Sequence, residues 1–275
     1  MLDLPPLIST EPAPTPDFEG FRRRAYAITG LDLTSYKAAQ MERRLSALLA
    51  RLAIGSFAEY AQLLERDAER RQEFRDYVTI NVSEFFRDSE RFDELERRVL
   101  PELLAGGAPL RVWSAGCSIG AEPYSLAIIL RELGPGRPHS ILATDVDQTI
   151  LERARAANGY LAADLRNVSP SRRDRWFVAG PDGRYTVGRV PRSMVCFEQH
   201  DLLRDPYPSG PFDLVACRNV VIYFTEEAKE RIYQAFVATL RPGGVLFVGG
   251  TEAIMRPLAL GLATLGPGFY RKVSA

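Results

Sequence analysis

Six residues in this sequence lie at or just after the ends of apolar, strand-like runs, where the ligands of α/β proteins commonly bind. They are Gly116, Gly120, Glu122, Asp145, Arg218 and Asn219. A glycine loop between a strand and a helix usually binds phosphate, because the helix start presents free N–H groups and the positive end of its dipole. Glu122 stands in that loop, within VWSAGCSIGAEPYS, and its carboxylate would repel a phosphate. The loop therefore favours a ligand with a positive charge.

The neighbouring motifs narrow the ligand further. Neither phosphate-binding pattern, G-x-G-x-x-G or G-x-x-x-x-G-K-[ST], occurs at the loop, which reads G-C-S-I-G-A. Asp145 closes the next predicted strand, where a carboxylate can accept hydrogen bonds from both ribose hydroxyls. S-adenosylmethionine, a nucleoside with a sulfonium and an amino group, satisfies the glycine loop, Glu122 and Asp145 together. In the alternative, Glu122 caps the helix that Pro123 begins, and the two roles are compatible.

The elements around these residues alternate between strands and helices. The strand-like stretches are LRVWSAG, SILATDVD, DLVACRNVVIYF and GGVLFVGG, and the helix-like ones are EPYSLAIILREL, QTILERARAA and EEAKERIYQAFVATL. This alternation predicts βαβ units and a parallel sheet, with ligand-binding residues at the carboxyl ends of its strands. Residues 160–200 interrupt the rhythm with a Pro-Asp-Gly turn between short strand-like pieces, so we expect a small β insertion there.

The amino-terminal part of the chain has a different texture. Residues 1–16 are rich in proline and predict a flexible tail. Residues 17–92 contain little glycine and have apolar residues at three- and four-residue spacing, which predicts an all-helical domain. A double glycine and a proline follow, so we expect a linker over 93–108 and a Rossmann-like α/β domain over 109–275.

The composition excludes several classes of protein. The chain has 275 residues, of which 46% are hydrophobic and 25% charged, as in globular proteins. The 35 Lys and Arg residues balance the 35 Asp and Glu residues, so the overall charge does not point to nucleic acid or a membrane surface. Three scattered cysteines and two histidines argue against a metal site or a disulfide framework. Without a long apolar run or a signal-like start, we expect a cytoplasmic protein with no direct membrane insertion.

The segment SYKAAQMERRLSALLARL predicts an amphipathic helix with an apolar stripe and a basic one. The apolar stripe consists of Met41, Leu45, Leu48 and Leu52, and the basic stripe of Lys37, Arg44 and Arg51 with Arg43 beside it. The helix alone leaves two interpretations open. The basic stripe is either a solvated face or a docking surface for an acidic partner helix.

Several separated motifs resemble those of the CheR-type chemotaxis receptor methyltransferases. In order they are YKAAQMERRL, INVSEFFRD, RVWSAGCSIGAEPYS, ATDVD, CRNVVIYF and RPGG, and they span nearly everything after the proline-rich tail. The resemblance implies a class I methyltransferase sheet and a protein-glutamate O-methyltransferase that uses S-adenosylmethionine and releases S-adenosylhomocysteine. CRNVVIYF lacks the [DN]-P-P-[FYW] pattern of enzymes that methylate bases, so no nucleic-acid partner is expected.

The resemblance also implies roles for individual residues. The cofactor contacts that it implies, with Gly116 added from the glycine loop, are Asn81, Ser83, Arg87, Gly116, Glu122, Asp145, Asp201, Leu202, Arg218 and Asn219. Arg87 and Tyr223 are placed near the acceptor and are the catalytic candidates. The family commonly has threonine where Ser83 stands, which keeps the hydroxyl, and asparagine where Asp201 stands, which replaces an amide with a group that only accepts hydrogen bonds.

The implied substrate is the acidic, glutamate-bearing helical bundle of a chemoreceptor's cytoplasmic part. A glutamate side chain has a pKa of about 4.3, so it is already ionised at neutral pH and needs no general base. The enzyme's task is then to orient and desolvate the reacting groups. This substrate favours the docking interpretation of the basic stripe. A second hypothesis is a methyltransferase-like module that binds the cofactor and a partner without methylating it.

Overall fold

The computed structural model describes residues 13–79 and 83–273 of the chain. Its contacts divide the chain into two units. The helical unit contains the residues up to Val78 together with Tyr223–Thr225, and the sheet unit contains Thr79–Ile222 and the residues from Glu226 onward. Asn81 and residues 1–12 of the predicted flexible tail lie outside the described residues.

The helical unit is built from α-helices whose ends are marked by capping residues. Its helices are α1 (Pro16–Thr29), α2 (Ala38–Leu52), α3 (Phe57–Arg66) and α4 (Ala68–Thr79). The Thr15 hydroxyl accepts a hydrogen bond from the Phe18 N–H at the start of α1, and Gly30, at φ 79°, ends that helix in the left-handed conformation. Aromatic rings fill the core of the unit, namely those of Phe18, Phe21, Phe57, Tyr60 and Phe74.

Helix α2 carries the two stripes that the sequence predicts. Met41, Leu45 and Leu48 are buried, as their spacing requires. Leu52 is only half-buried because the helix ends there, at a left-handed Ala53.

The sheet unit begins with helices rather than with the expected linker. Residues 89–104 form an almost continuous helical run, composed of α5 (Ser89–Glu94), a π-helical stretch (Leu95–Val99) and α6 (Leu100–Leu104). Leu95, Val99 and Leu103 are buried in the core of the unit. The prediction of a linker over 93–108 was wrong, because these leucine and valine residues already repeat at the four-residue spacing of a helix.

A seven-stranded sheet forms the body of the sheet unit. Its strands are β1 (Arg111–Ala115), β2 (Ser140–Asp145), β5 (Val195–Gln199), β6 (Phe212–Cys217), β7 (Leu240–Val248), β8 (Leu262–Gly266) and β9 (Phe269–Lys272). They lie in the order β5-β2-β1-β6-β7-β9-β8, in which β9 runs antiparallel to β7 and β8 and the other pairs are parallel. This confirms the predicted Rossmann-like sheet. The helices between its strands include α7 (Ala121–Leu133), α8 (Gln148–Ala156) and α11 (Glu226–Thr239).

The region expected to be a β insertion is partly insertion and partly sheet. The insertion contains α9 (Pro170–Trp176), β3 (Phe177–Ala179), β4 (Tyr185–Val187) and α10 (Arg189–Arg192). Strands β3 and β4 pair as the predicted antiparallel hairpin. Residues 195–199 are instead β5, which pairs in parallel with β2. The sequence hides this because a short edge strand, with one neighbour, shows little periodicity. No helix in the described part of the chain is both long and apolar enough to cross a membrane.

Candidate active site

The carboxyl ends of β1, β2, β6 and β7 meet at one edge of the sheet, here called the carboxyl edge. After β1 the chain turns through Gly116 and Gly120, whose φ angles are 76° and 83°. A Cβ on Gly116 would lie 2.5 Å from Cγ2 of Val220, which follows β6. Glycine is therefore required at 116, because the loops after β1 and β6 approach each other too closely for a side chain.

Asp145, at the end of β2, is buried and braces the glycine loop. Its Oδ2 accepts a hydrogen bond from the Ser118 N–H at 2.8 Å, and its Oδ1 accepts one from the Asp147 N–H at 3.1 Å. Burial raises the pKa of Asp145 to about 6, although these backbone hydrogen bonds oppose the rise. Each carboxylate oxygen can accept a second hydrogen bond, so the group could still bind ribose hydroxyls.

Glu122, in the first turn of α7, is 12% exposed and points back into the sheet. One oxygen accepts a hydrogen bond from the Ser114 hydroxyl at 2.8 Å, and the other lies 3.5 Å from Nη1 of Arg218. Burial raises the pKa of Glu122, and the Arg218 charge and the Ser114 hydrogen bond partly offset that rise. These contacts are to side chains on β1 and after β6, so they give no support to the helix-capping alternative.

Arg218 is only 2% exposed, and its side chain is used inside the protein. Its Nη2 donates to the Arg87 carbonyl and to the Asp88 carboxylate, both at 2.8 Å. Its guanidinium lies 5.0 Å from the Phe92 ring and 4.6 Å from the Phe247 ring. These groups engage Nη1 and Nη2, whereas the buried Nε of Arg218 has no hydrogen-bond partner among the described residues.

The segment NVSEFFRD, as far as the structure describes it, is brought to this edge by Arg218. Ser83 and Arg87 are half-buried, whereas Phe85 and Phe86 are buried in the core, as expected for aromatic residues. Phe86 and Asp88 both have positive φ angles, at 54° and 57°. Such angles are strained for residues other than glycine and cluster at functional sites.

Asn219 follows β6 and also has a left-handed backbone, with φ at 60°. This explains why the strand predicted through Phe224 ends at Cys217. The Asn219 N–H donates to the carboxylate of Glu252 at 2.6 Å, and its side-chain Oδ1 is buried without a hydrogen-bond partner among the described residues. Sequence reasoning missed Glu252, although it follows β7 at the same end of the sheet at which Asp145 closes β2.

Asp201 and Leu202 follow β5 in a short turn. The Asp201 carboxylate accepts a hydrogen bond from the Leu203 N–H at 2.8 Å, and the Leu202 carbonyl accepts one from the Tyr207 hydroxyl at 2.9 Å. The His200 N–H donates to the Asp145 carbonyl at 3.0 Å, which ties this turn to the end of β2. An asparagine carbonyl oxygen could accept the same hydrogen bond as Asp201 does, so the departure from the family residue leaves the turn intact.

Tyr223 packs with the helical unit, together with the basic stripe. Its carbonyl accepts a hydrogen bond from the Lys37 N–H at 2.9 Å, and its ring lies 5.9 Å from the Arg44 guanidinium. Arg44 also donates a hydrogen bond to the Tyr77 carbonyl at 2.6 Å, and its guanidinium lies 5.3 Å from the centre of the Tyr77 ring. Arg43 and Arg51 are exposed. The stripe therefore contains one arginine, Arg44, that hydrogen-bonds within the unit, and two exposed arginines, of which Arg51 lies 5.5 Å from the Tyr77 ring.

The carboxyl edge suits a cationic nucleoside. It gathers three largely buried carboxylates, those of Glu122, Asp145 and Glu252. Within the described ranges, the Ser118 hydroxyl and the Asn219 amide oxygen are buried there without hydrogen-bond partners. A bound ligand with hydroxyl and ammonium donors would satisfy such acceptors. Over the same described residues, no cluster of His, Cys, Asp and Glu has an arrangement that could hold a metal ion.

Comparisons with known proteins agree with this arrangement. Residues 16–79 match the CheR methyltransferase all-alpha domain, and residues 81–260 match the CheR methyltransferase SAM-binding domain. The chain is 44% identical over 257 residues to a chemotaxis protein methyltransferase of Listeria monocytogenes, covering 93% of this chain and 97% of that protein. It is 40% identical over 248 residues to chemotaxis protein methyltransferase 1 of Pseudomonas aeruginosa, covering 86% of this chain and 90% of that protein. The chain therefore belongs to the CheR family of methyltransferases.

Proposed function

We propose that this protein methylates glutamate carboxylates on the cytoplasmic helices of chemoreceptors, using S-adenosylmethionine as methyl donor. The observation that carries the proposal is the acidic, buried carboxyl edge, with Glu122 in the first turn of α7 and Asp145 at the end of β2. The relatives of this protein are named chemotaxis protein methyltransferases. Those names give no support to the alternative of a binding module without activity.

The cofactor, when bound, supplies an activated methyl group on a positively charged sulfur. Glu122 and Asp145 would provide negative charge and hydrogen-bond acceptors for it, and Gly116 keeps the loop close to β6. Their burial strengthens these interactions because water does not screen them. Asn81, Ser83, Arg87, Asp201, Leu202, Arg218 and Asn219 are further candidate contacts.

The acceptor glutamate needs orientation rather than activation. Its ordinary pKa of about 4.3 leaves it ionised at neutral pH, so a fixed position in line with the methyl group is the main requirement. Arg87, half-buried in the FFRD segment, could orient the carboxylate through its guanidinium. Tyr223 could donate one hydrogen bond to it. Neither residue has to remove a proton.

The basic stripe is the proposed docking surface for the receptor. Arg43 and Arg51 are exposed on α2, so their charge is available to an acidic helical bundle. The Arg44 guanidinium is less available to the receptor, because it is hydrogen-bonded to the Tyr77 carbonyl and lies against the Tyr77 ring. A cytoplasmic location follows from this substrate, and neither nucleic acid nor membrane insertion is required.

A transfer assay with labelled S-adenosylmethionine and receptor cytoplasmic fragments tests this function. We expect label in the receptor helices, and loss of that label when the acceptor glutamates are changed to glutamine. Cofactor binding without any transfer to the fragments would contradict the proposal and favour the binding-module alternative.

A further inference from the structure

Glu252 is the third buried carboxylate of the carboxyl edge, and it is not among the residues proposed above to contact the cofactor. Its side chain is buried, with 4% of the residue exposed. Its Oε2 accepts hydrogen bonds from the Asn219 N–H at 2.6 Å and the Gly249 N–H at 2.7 Å, and its Oε1 accepts one from the Val220 N–H at 3.0 Å. One carboxylate therefore joins the loop after β6 to the turn after β7.

The packing around this carboxylate leaves little freedom. A Cβ on Gly249 would lie 2.3 Å from Oε2 of Glu252 and 3.2 Å from Nδ2 of Asn219. The Glu252 N–H donates back to the Gly249 carbonyl at 2.9 Å, so the turn closes on itself. Burial raises the pKa of Glu252, whereas the three backbone hydrogen bonds and the Arg218 charge favour the charged form and oppose that rise.

Asn219 is the residue that benefits from this arrangement. Its backbone is left-handed, with φ at 60°, a conformation that asparagine adopts more readily than most residues, and the Glu252 carboxylate holds its N–H in place there. Its side-chain Oδ1 is buried and, in the described part of the chain, has no hydrogen-bond partner. A fixed backbone with an unsatisfied amide is the arrangement expected where a ligand completes the hydrogen bonding.

We propose that Glu252 is a positioning residue for the cofactor site, acting through Asn219. Its carboxylate fixes the Asn219 backbone, so that the amide side chain is held ready for the cofactor. The inference rests on the proposed cofactor site but not on the identity of the methyl acceptor. Glutamine cannot replace it fully, because an NH₂ group would face one of the three N–H donors.

Calorimetric titration with S-adenosylhomocysteine tests the proposal without any methyl acceptor. Glu252→Gln should weaken binding by about tenfold, as expected for the loss of a hydrogen bond to a charged group. Glu230→Gln, an exposed glutamate on α11, is the matched control and should leave binding unchanged. Thermal unfolding of each variant shows whether the titrated protein is folded at the temperature used.

A double-mutant cycle separates positioning from a general structural role. Asn219→Ala should weaken binding, and adding Glu252→Gln to it should then weaken binding by less than about twofold, because both changes remove the same contact. The proposal is overturned if the two effects multiply, or if Glu252→Gln lowers only the unfolding temperature and leaves the dissociation constant unchanged. If the binding titrations give the expected results but the protein does not methylate receptor fragments, the proposed methyl acceptor is contradicted and the role of Glu252 is not.

Discussion

The carboxyl edge of the sheet unit and the basic stripe of the helical unit use charge in different physical settings. At the carboxyl edge, Arg218 is 2% exposed and Glu122 is 12% exposed, and each is hydrogen-bonded to neighbours on other elements. On α2, Arg43 and Arg51 face solvent. Arg44 is partly enclosed there by its hydrogen bond to the Tyr77 carbonyl, and the Tyr77 ring lies 5.3 Å from the Arg44 guanidinium and 5.5 Å from that of Arg51.

The difference separates what each region can do. A buried charge interacts strongly with a few neighbours, so it can fix a loop and bind a ligand at the same time. An exposed charge is screened within about 8 Å at physiological salt, so it acts mainly on the rate of association. We therefore expect changes at the carboxyl edge to alter stability and cofactor affinity, and changes on the stripe to alter receptor methylation alone.

The largest expected effect is the loss of stability in Arg218→Ala. This change leaves the Glu122 and Asp88 carboxylates without their cation and should lower the free energy of unfolding by about 3–5 kcal/mol. Urea denaturation followed by tryptophan fluorescence measures it, because Trp113 and Trp176 both lie in the sheet unit. Arg43→Ala on the exposed face is the control and should stay within about 0.5 kcal/mol of the unchanged protein. If Arg218→Ala and Arg43→Ala lower the free energy of unfolding equally, the distinction between the carboxyl edge and the basic stripe is wrong.

Asp145→Ala should weaken cofactor binding by about 1.5–3 kcal/mol, the range for hydrogen bonds to a charged group. The change also removes the acceptor that braces the Ser118 N–H, so Asp145→Asn, which keeps one carbonyl oxygen, should lose less. Isothermal calorimetry gives both values. An unchanged dissociation constant in Asp145→Ala would exclude Asp145 from the cofactor site.

Cofactor affinity should also depend on pH. Burial raises the pKa of Asp145 from 3.8 to about 6. Protonation below that value removes acceptor capacity, so affinity should fall by about tenfold between about pH 7 and pH 5. Because the pKa of Asp145 is higher in the folded protein than in the unfolded chain, protonation of this group stabilises the free protein as the pH falls from about 6 to 4. The expected loss of cofactor affinity is therefore not caused by unfolding through Asp145. Asp145→Asn should flatten the profile, and an equally steep profile in that variant would assign the effect to another group such as Glu122.

The smallest expected effect is on the basic stripe. The double change Arg43→Glu and Arg51→Glu should slow receptor methylation by about three- to tenfold in low salt and leave cofactor affinity unchanged. Arg44 is left in place because it donates a hydrogen bond to the Tyr77 carbonyl, and losing that bond would add a structural effect. Arg66→Glu is the control for an exposed charge reversal outside the stripe, on α3. If it slows methylation as much as the double change, the stripe is an ordinary solvated face.

The parts of the site that follow a strand could be predicted from the sequence. Asp145 and the Gly116 loop stand directly after apolar runs, and parallel strands bring such positions to one edge. The Arg218 contacts could not be predicted, because they join the residues after β6 to Asp88, far away in the chain. Glu252 was missed for a similar reason, since its three donors come from two loops.

The errors in the predicted fold have a common physical origin. The segment 93–108 was assigned to a linker from its glycines, although the leucines before them pack into the core of the sheet unit. Strand β5 was assigned to the insertion because its five residues, Val195–Gln199, show no strong alternation. In both cases tertiary packing decides the structure, and local composition does not report it.

The central claim is that the protein forms methyl esters on glutamate, and the stability of the transferred methyl group to base tests it most directly. Receptor fragments labelled from S-adenosylmethionine should release their label as volatile methanol under mild alkali, because an ester is hydrolysed there whereas a methylated amine is not. We expect release of nearly all of the label from fragments with intact glutamates. Label that stays on the receptor after alkali would contradict carboxylate methylation.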